Sequence, residues 1–317
     1  MGSATNTIKE AYSEWRRSGV IERLHTLYMI LAVCGFFFAI SGDTVKEIVF
    51  LVIFGLYFLF MLILFVSMTA MYARKSRHPE THKLYHQFHH TIRDIYDDLS
   101  SCLSNSKSIN REETKKKLCS ALTSVATAFS MVTSVTCRAS IKVIGVPEGL
   151  SDPRDYYLQT LARDGMSTES RRDVDKNEGY RHKIQDNTDF DLIFRGHIDC
   201  FFCNDLSESG NYLNSRLEEL KAAGAQNGKN WPLPYIATIV CPIRFIPEGA
   251  EKSDMGKVRL YGFLTVDAPS RKVFNETTET QMAAAMADSL YPILDMYFKC
   301  KQQEQKQALQ ERTATAT

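Results

Sequence analysis

The sequence contains none of the short motifs that mark common enzymes. It has no Walker phosphate-binding loop, dinucleotide fingerprint, Ser/His/Asp set or nucleotide-cyclase signature. The formal net charge is +1 over 317 residues, so the chain lacks the basic excess of a protein that binds duplex nucleic acid. A secretory signal is also absent, because the first apolar run begins too late, is too long and has no cleavage site. These absences favour a non-enzymatic protein.

Two apolar runs near the N-terminus are the strongest positive signal. They cover residues 24–41 and 48–71, about 18 and about 24 residues, and each is long enough to cross a bilayer core of roughly 30 Å as a helix. Only a short polar turn separates them. We therefore predict a transmembrane hairpin over 24–73. The preceding segment, 1–23, is predicted to lie on the membrane as an amphipathic helix, with an irregular terminus as the alternative.

Basic residues indicate how the hairpin is oriented. The turn carries only Lys46, whereas the outer flanks carry Lys9, Arg16, Arg17, Arg23, Arg74, Lys75, Arg77 and Lys83. The positive-inside rule then places both termini in the cytoplasm of a multi-pass inner-membrane protein, and the eight cysteines are expected as free thiols there. Neither run contains a charged side chain. A pore formed by several copies would thus be lined by apolar groups, and a plain anchor is the alternative.

The remainder of the chain alternates helical and strand patterns. Pro79 is suited to the first turn of a connector helix within 79–110, and helices are predicted at 112–137 and 275–303 from apolar spacings of three and four. Strand patterns occur at 139–146, 198–203, 235–246 and 257–266. We predict an α+β domain over 111–303, with an antiparallel sheet flanked by helices. The polar tail, 304–317, is predicted to be disordered.

Five sequence pieces, in order, resemble the GAF domain family of small-ligand sensors. They are residues 200–206 (CFFCNDL), 211–216 (NYLNSR), 239–244 (IVCPIR), 260–267 (LYGFLTVD) and the pair Phe274-Asn275. Gly262, within an apolar run, indicates a bulge or a close backbone approach. Asn275 is suited to cap the last helix, and Phe274 to staple its start.

The GAF resemblance implies a ligand pocket between one sheet face and the helical middle of the domain. The residues that it places there are Phe190, Phe194, Asp205, Tyr212, Arg216, Thr238 and Thr265. In that site Arg216 would hold a phosphate or carboxylate, and the aromatic rings would stack on a base; a surface arginine with a local acid partner is the alternative. The Asn-Lys…Phe…Asp-Glu signature of cyclic-nucleotide binders is not matched, since Asp267-Ala268 and Thr277-Thr278 replace its ends. The cofactor is unknown.

Two further groups of residues have competing interpretations. His82, His86 and His90 lie on one face of the connector helix and form a weak candidate metal or proton-sensing site, or a solvated surface. Cys200 and Cys203 form a C-x-x-C, but a separation of three in a strand places them on opposite faces. Some GAF domains are methionine-sulfoxide reductases, so the resemblance leaves Cys200 and Cys241 as minor candidates for that activity.

Together these observations predict a membrane-anchored cytoplasmic sensor. A small ligand, with a nucleotide favoured, would bind the GAF-like domain of a homo-oligomer, and the hairpins would then rearrange in the bilayer. The arrangement resembles bacterial antiphage-defence effectors that join a nucleotide sensor to short membrane spans. In the alternative, the hairpin only anchors the chain and the domain docks a separate signalling partner.

Overall fold

The computed structural model describes residues 52, 54–55, 58–60, 62–63, 78–105, 107–147, 152–167, 181–224, 231–249 and 258–315. The chain divides into two units, Met1–Pro79 and Glu80–Thr317. The predicted segment 1–23, the first predicted span and most of the second lie outside the described residues. Those described between 52 and 63 are helical, and their apolar side chains are exposed: Val52, Phe54, Phe58, Leu59, Phe60, Leu62 and Ile63. Among the helices that are described, none is both long and apolar enough to cross a membrane.

The second unit, in its described part, contains six strands and five α-helices, the first of which begins two residues before the unit does. The helices are α1 (His78–Ser104), α2 (Arg111–Thr133), α3 (Thr188–Phe194), α4 (Ser215–Ala222) and α5 (Thr278–Thr315). The strands are β1 (Arg138–Gly145), β2 (Tyr157–Arg163), β3 (His182–Lys183), β4 (Phe201–Cys203), β5 (Ala237–Phe245) and β6 (Arg259–Ala268). The sheet order is β3-β2-β1-β6-β5-β4, and every neighbouring pair is antiparallel. This confirms the predicted α+β class, and the arrangement fits a GAF-like domain.

The two faces of the sheet differ because side chains alternate along each central strand. The helix face consists of Ala139, Ile141, Ile239, Cys241, Leu264 and Val266, which are buried in one apolar core with α1, α2 and α5. The opposite face, which we call the cavity face, presents Arg138, Ser140, Lys142, Thr238 and Thr265. A smaller apolar cluster fixes α3 over this second face, where Phe190 contacts Phe263 with ring centroids 5.0 Å apart.

Close backbone approach accounts for Gly262. A Cβ atom at this position would lie 2.0 Å from the carbonyl oxygen of Lys142 on β1, which confirms that the strand pair requires glycine there. The register also shifts between Ile243 and Arg244 on β5, opposite Gly262. Both features match the prediction made from an isolated glycine in an apolar strand.

The start of α5 matches its predicted cap, but its end differs from the prediction. Asn275 accepts hydrogen bonds from the backbone N–H groups of Thr277 and Thr278, each at 3.0 Å, and Phe274 packs edge-on against Phe129. The helix continues to Thr315, through most of the tail predicted to be disordered. The Gln, Lys, Glu, Ala and Leu residues of this tail are good helix formers. The prediction of disorder gave more weight to the polar composition of the tail.

Candidate functional site

A cavity of about 700 Å³ lies between the cavity face of the sheet and the segments that cover it. Ser140, Thr238 and Thr265 form its floor, and all three are buried polar side chains. The hydroxyl oxygens of Ser140 and Thr265 are 2.7 Å apart, and Thr238 donates to Asp267 at 2.8 Å. A cavity of this size with converging polar groups is typical of a small-molecule site.

Four side chains form what we call the basic cluster of the cavity: Lys142, Arg163, His182 and Arg216. Lys142 and Arg163 both reach the Thr160 hydroxyl, at 2.5 and 3.5 Å. His182 shares a 2.6 Å hydrogen bond with Ser215, at the start of α4. Burial lowers the pKa of His182, and the positive charge of Lys142 lowers it further. The cluster therefore concentrates positive charge beside a largely neutral imidazole.

Arg138, at the first position of β1, also lines the cavity. Its Nη1 atom is buried, and no group in the described part of the chain accepts a hydrogen bond from it. An unsatisfied buried donor is costly, and more so when it is charged. An anion in the cavity would supply the acceptor.

Asp189 is the most buried acidic group that lines the cavity, with 4% of its surface exposed. One carboxylate oxygen accepts from the backbone N–H of Phe190 at 3.1 Å, and the other accepts from the Tyr212 hydroxyl at 3.3 Å. Burial raises the pKa of Asp189, the neighbouring charge of Asp267 adds to the rise, and the resulting pKa is about 7. The cavity thus combines a basic cluster with one buried acid.

The structure brings four of the seven predicted ligand residues to the cavity. Phe190, Arg216, Thr238 and Thr265 line it. Arg216 lies at the start of α4, where it is also paired with Glu219 at 2.9 Å, the local acid partner that the alternative interpretation required.

The other three predicted residues are not in the cavity lining. Phe194, the last residue of α3, packs in the apolar cluster between this helix and the sheet. Asp205 accepts hydrogen bonds from Ser207 in a turn and pairs with Arg271 at 3.0 Å. Tyr212 is buried and stacks on Phe201, so its ring is already occupied, although its hydroxyl supports Asp189.

The candidate metal and redox residues lie outside the cavity. His90 and His86 form a hydrogen bond of 2.9 Å between their Nε2 atoms, and Arg93 forms one of 2.8 Å with Nδ1 of His90. Within the described residues, no group of three or more His, Cys, Asp or Glu side chains could hold a metal ion. Cys241 is buried on the helix face and Cys200 packs beside it; neither lines the cavity.

Apart from Arg216, sequence reasoning missed the titratable residues that line the cavity, namely Arg138, Lys142, Arg163, His182, Asp189 and Asp267. One signal was available on β1, where Arg138, Ser140 and Lys142 alternate with Ala139, Ile141 and Val143. That alternation predicts a polar sheet face. Its role was hidden because only the tertiary fold buries this face beneath α3 and α4.

Comparison with known proteins shows distant structural likeness only. No protein-family model and no curated protein sequence matches the chain. Among solved structures it is similar to a type II free methionine-R-sulfoxide reductase from Thermoplasma acidophilum, at 14% identity and a TM-score of 0.34, over 57% of this chain and 94% of that one. It is also similar to the GAF domain of an Acinetobacter phosphoenolpyruvate-protein phosphotransferase, at 13% identity and a TM-score of 0.35, over 65% and 90% of the two chains.

Proposed function

We propose that this protein is a membrane-anchored sensor whose GAF-like domain binds a small anionic ligand of the nucleotide type. The observation that carries the proposal is the buried, unsatisfied Nη1 of Arg138 in a cavity that also contains the basic cluster. Guanidinium groups bind phosphate through charge-assisted hydrogen bonds. The aromatic ring of Phe190, which also lines the cavity, offers a surface for a base.

Arg138 is placed to report an occupied cavity to the helical layer. It lies five residues after the last residue of α2, and Cys137, next to it, is fixed by a 2.8 Å hydrogen bond from its N–H to the Ser130 hydroxyl of that helix. Helix α1 is joined to α2 by the Lys117–Asp98 ion pair and to α5 by the Cys300 thiol, which donates to the Leu99 carbonyl at 3.5 Å. A ligand that reorients Arg138 would thus act on helices that lead, along the chain, to the predicted hairpin.

The proposed output is a rearrangement of the hairpin in a homo-oligomer, which disturbs the membrane or opens a pore, as a defence effector would. The support is the second apolar run, whose described residues are helical and expose Phe58, Leu59 and Phe60 at successive positions. Apolar side chains on all sides of a helix are typical of a membrane span.

Ligand binding can be tested on the full chain in detergent micelles. Small molecules that co-purify would be identified by mass spectrometry, and binding of a nucleotide panel would be measured by calorimetry. Arg138→Gln should weaken nucleotide binding by about 10- to 100-fold, the loss expected for one charge-assisted hydrogen bond. Arg154→Gln is the matched control, because Arg154 is exposed and its ion pair among the described residues is with Asp152. Equal affinity of both variants would contradict the proposal.

Membrane output requires a separate test in cells. Expression with the ligand present should depolarise the membrane, as reported by a voltage-sensitive dye, and Arg138→Gln and Arg216→Ala should abolish the response. An unchanged membrane potential under every ligand that binds would exclude this output while leaving the sensor intact.

Docking of a separate partner is the second candidate, and a row of aromatic rings, exposed at one end and half-buried along the rest, favours it. Phe245, Tyr291, Tyr261 and Phe298 follow one another with ring centroids 5.5, 5.6 and 5.4 Å apart, and Phe245 is 47% exposed. Exposed aromatic groups are frequent at interfaces. If residues 79–317 alone retain the whole biological activity, the hairpin is an anchor and this second function holds.

A further inference from the structure

The partners of Asp189 leave its carboxylate incompletely satisfied. In the described part of the chain it accepts from the Phe190 N–H and the Tyr212 hydroxyl, and no cation contacts it. A buried carboxylate is normally paired with a cation or held by several donors. Each oxygen has a second lone pair for another donor. Because Asp189 lines the cavity, a ligand can supply both donors.

Neighbouring side chains hold this carboxylate in place. The Tyr212 hydroxyl that donates to Asp189 also accepts from Asn214 at 3.2 Å, and Asn214 caps α4 by accepting from the Leu217 N–H at 3.1 Å. Tyr212 and Asn214 are themselves buried. A rigid acceptor pair supported in this way is suited to select among ligands rather than to adapt to each of them.

The geometry of a carboxylate matches two adjacent N–H groups on a planar ring. Guanine presents such a pair, its ring N1–H and exocyclic amino group. Adenine presents an amino group beside a ring nitrogen that is an acceptor, which would face a carboxylate oxygen. Phe190, the residue that follows Asp189, provides an aromatic wall beside it.

We propose that Asp189 is the specificity-determining residue of the cavity, and that it accepts hydrogen bonds from the two-donor edge of a guanine-type base. The inference rests on the proposed function, in which Arg138 and the basic cluster bind the phosphate of the same ligand. The raised pKa of Asp189 agrees with this, since two ligand donors would stabilise the ionised form that burial disfavours.

The test measures binding of four probes, GMP, IMP, XMP and AMP, to the full chain in detergent micelles at pH 8. IMP lacks the amino donor of GMP, and XMP carries an acceptor in its place. The parent protein should bind GMP at least 10-fold more tightly than IMP, XMP or AMP. Asp189→Asn, which replaces one acceptor by a donor, should reverse the order of GMP and XMP. Asp191→Asn, on the same helix and paired with Arg195, should keep the order of the parent.

The outcomes distinguish failure of the proposed sensor function from failure of the proposed role of Asp189. If AMP binds the parent as tightly as GMP and Arg138→Gln still weakens both, the sensor stands and the role of Asp189 is overturned. If Asp189→Asn keeps the preference for GMP over XMP, that role is also overturned. If the parent binds none of the probes, both proposals fail. Should Asp189→Asn not fold, the ratio of GMP to IMP affinity in the parent decides by itself.

Discussion

Gly262 and Lys142 approach each other so closely that a Cβ atom on Gly262 would lie 2.0 Å from the Lys142 carbonyl oxygen. The contact lies where β1 and β6 pair. The Lys142 side chain extends from the same backbone into the cavity. The absence of a side chain at position 262 therefore helps to set the position of the strand that supplies Lys142 to the basic cluster.

Gly262→Ala should destabilise the domain. The added methyl group meets backbone rather than a flexible side chain, so β1 or β6 must move, at a cost of about 1–3 kcal/mol or more. The free energy of unfolding would be measured by chemical denaturation. Gly210→Ala is the matched control, since a Cβ atom there has no neighbour within 4 Å. Equal stability of the two variants would show that the strand pair absorbs the methyl group.

The Ser140 and Thr265 hydroxyls should show a coupled effect on stability. Their oxygens are 2.7 Å apart on the buried floor of the cavity. Ser140→Ala or Thr265→Val alone leaves the other hydroxyl without this partner and should cost about 1–3 kcal/mol. The double variant should lose less than the sum, as measured by a double-mutant cycle in nucleotide-free buffer. Strict additivity would mean that water satisfies each hydroxyl separately.

The cap of α5 should contribute measurably to folding. Asn275 accepts from two backbone N–H groups at the start of the helix, so Asn275→Ala should lower the free energy of unfolding by about 0.5–2 kcal/mol. Asn211→Ala, at an exposed position, is the comparison variant. A thermal melt of both would suffice, and no difference between them would imply that water replaces the cap.

Asp189 should make the stability of the domain depend on pH in a defined direction. Its pKa is raised from 3.8 to about 7 in the folded chain, so between these values the folded state binds the proton that the unfolded state releases. This contribution is complete below about pH 4 and is lost as pH rises toward 7. The free energy of unfolding of Asp189→Asn, minus that of the parent, should therefore be roughly 1–3 kcal/mol larger at pH 8 than at pH 5.

Denaturation curves of the parent, Asp189→Asn and Asp191→Asn at the two pH values would check this prediction. The comparison between variants cancels the titration of the other acidic groups. A pH dependence of Asp189→Asn identical to that of the parent would show that Asp189 does not carry the proton.

The three long helices, α1, α2 and α5, and the central strands could be predicted because their signals are local. The apolar seam of α1 and the alternation along β1 follow directly from the order of residues. β2 and β3 were missed. β2 (Tyr157–Arg163) mixes apolar and polar positions. It pairs on one side with the two-residue strand β3, and several of its side chains line the cavity. Its place is fixed by pairing with β1, a partner that no local pattern identifies.

The sequence by itself determined the α+β class, the helix cap at Asn275, the need for glycine at position 262, and the two apolar runs. Each depends on neighbours within a few residues or on a simple period. Only the tertiary structure decided which polar residues form the site. Arg138, His182, Asp189 and Arg216 lie on four different elements or loops, and they share one cavity because the antiparallel sheet and its covering helices bring distant parts of the chain together. The charge of that cavity, and the burial of the Arg138 Nη1 atom and of Asp189, are properties of this packing.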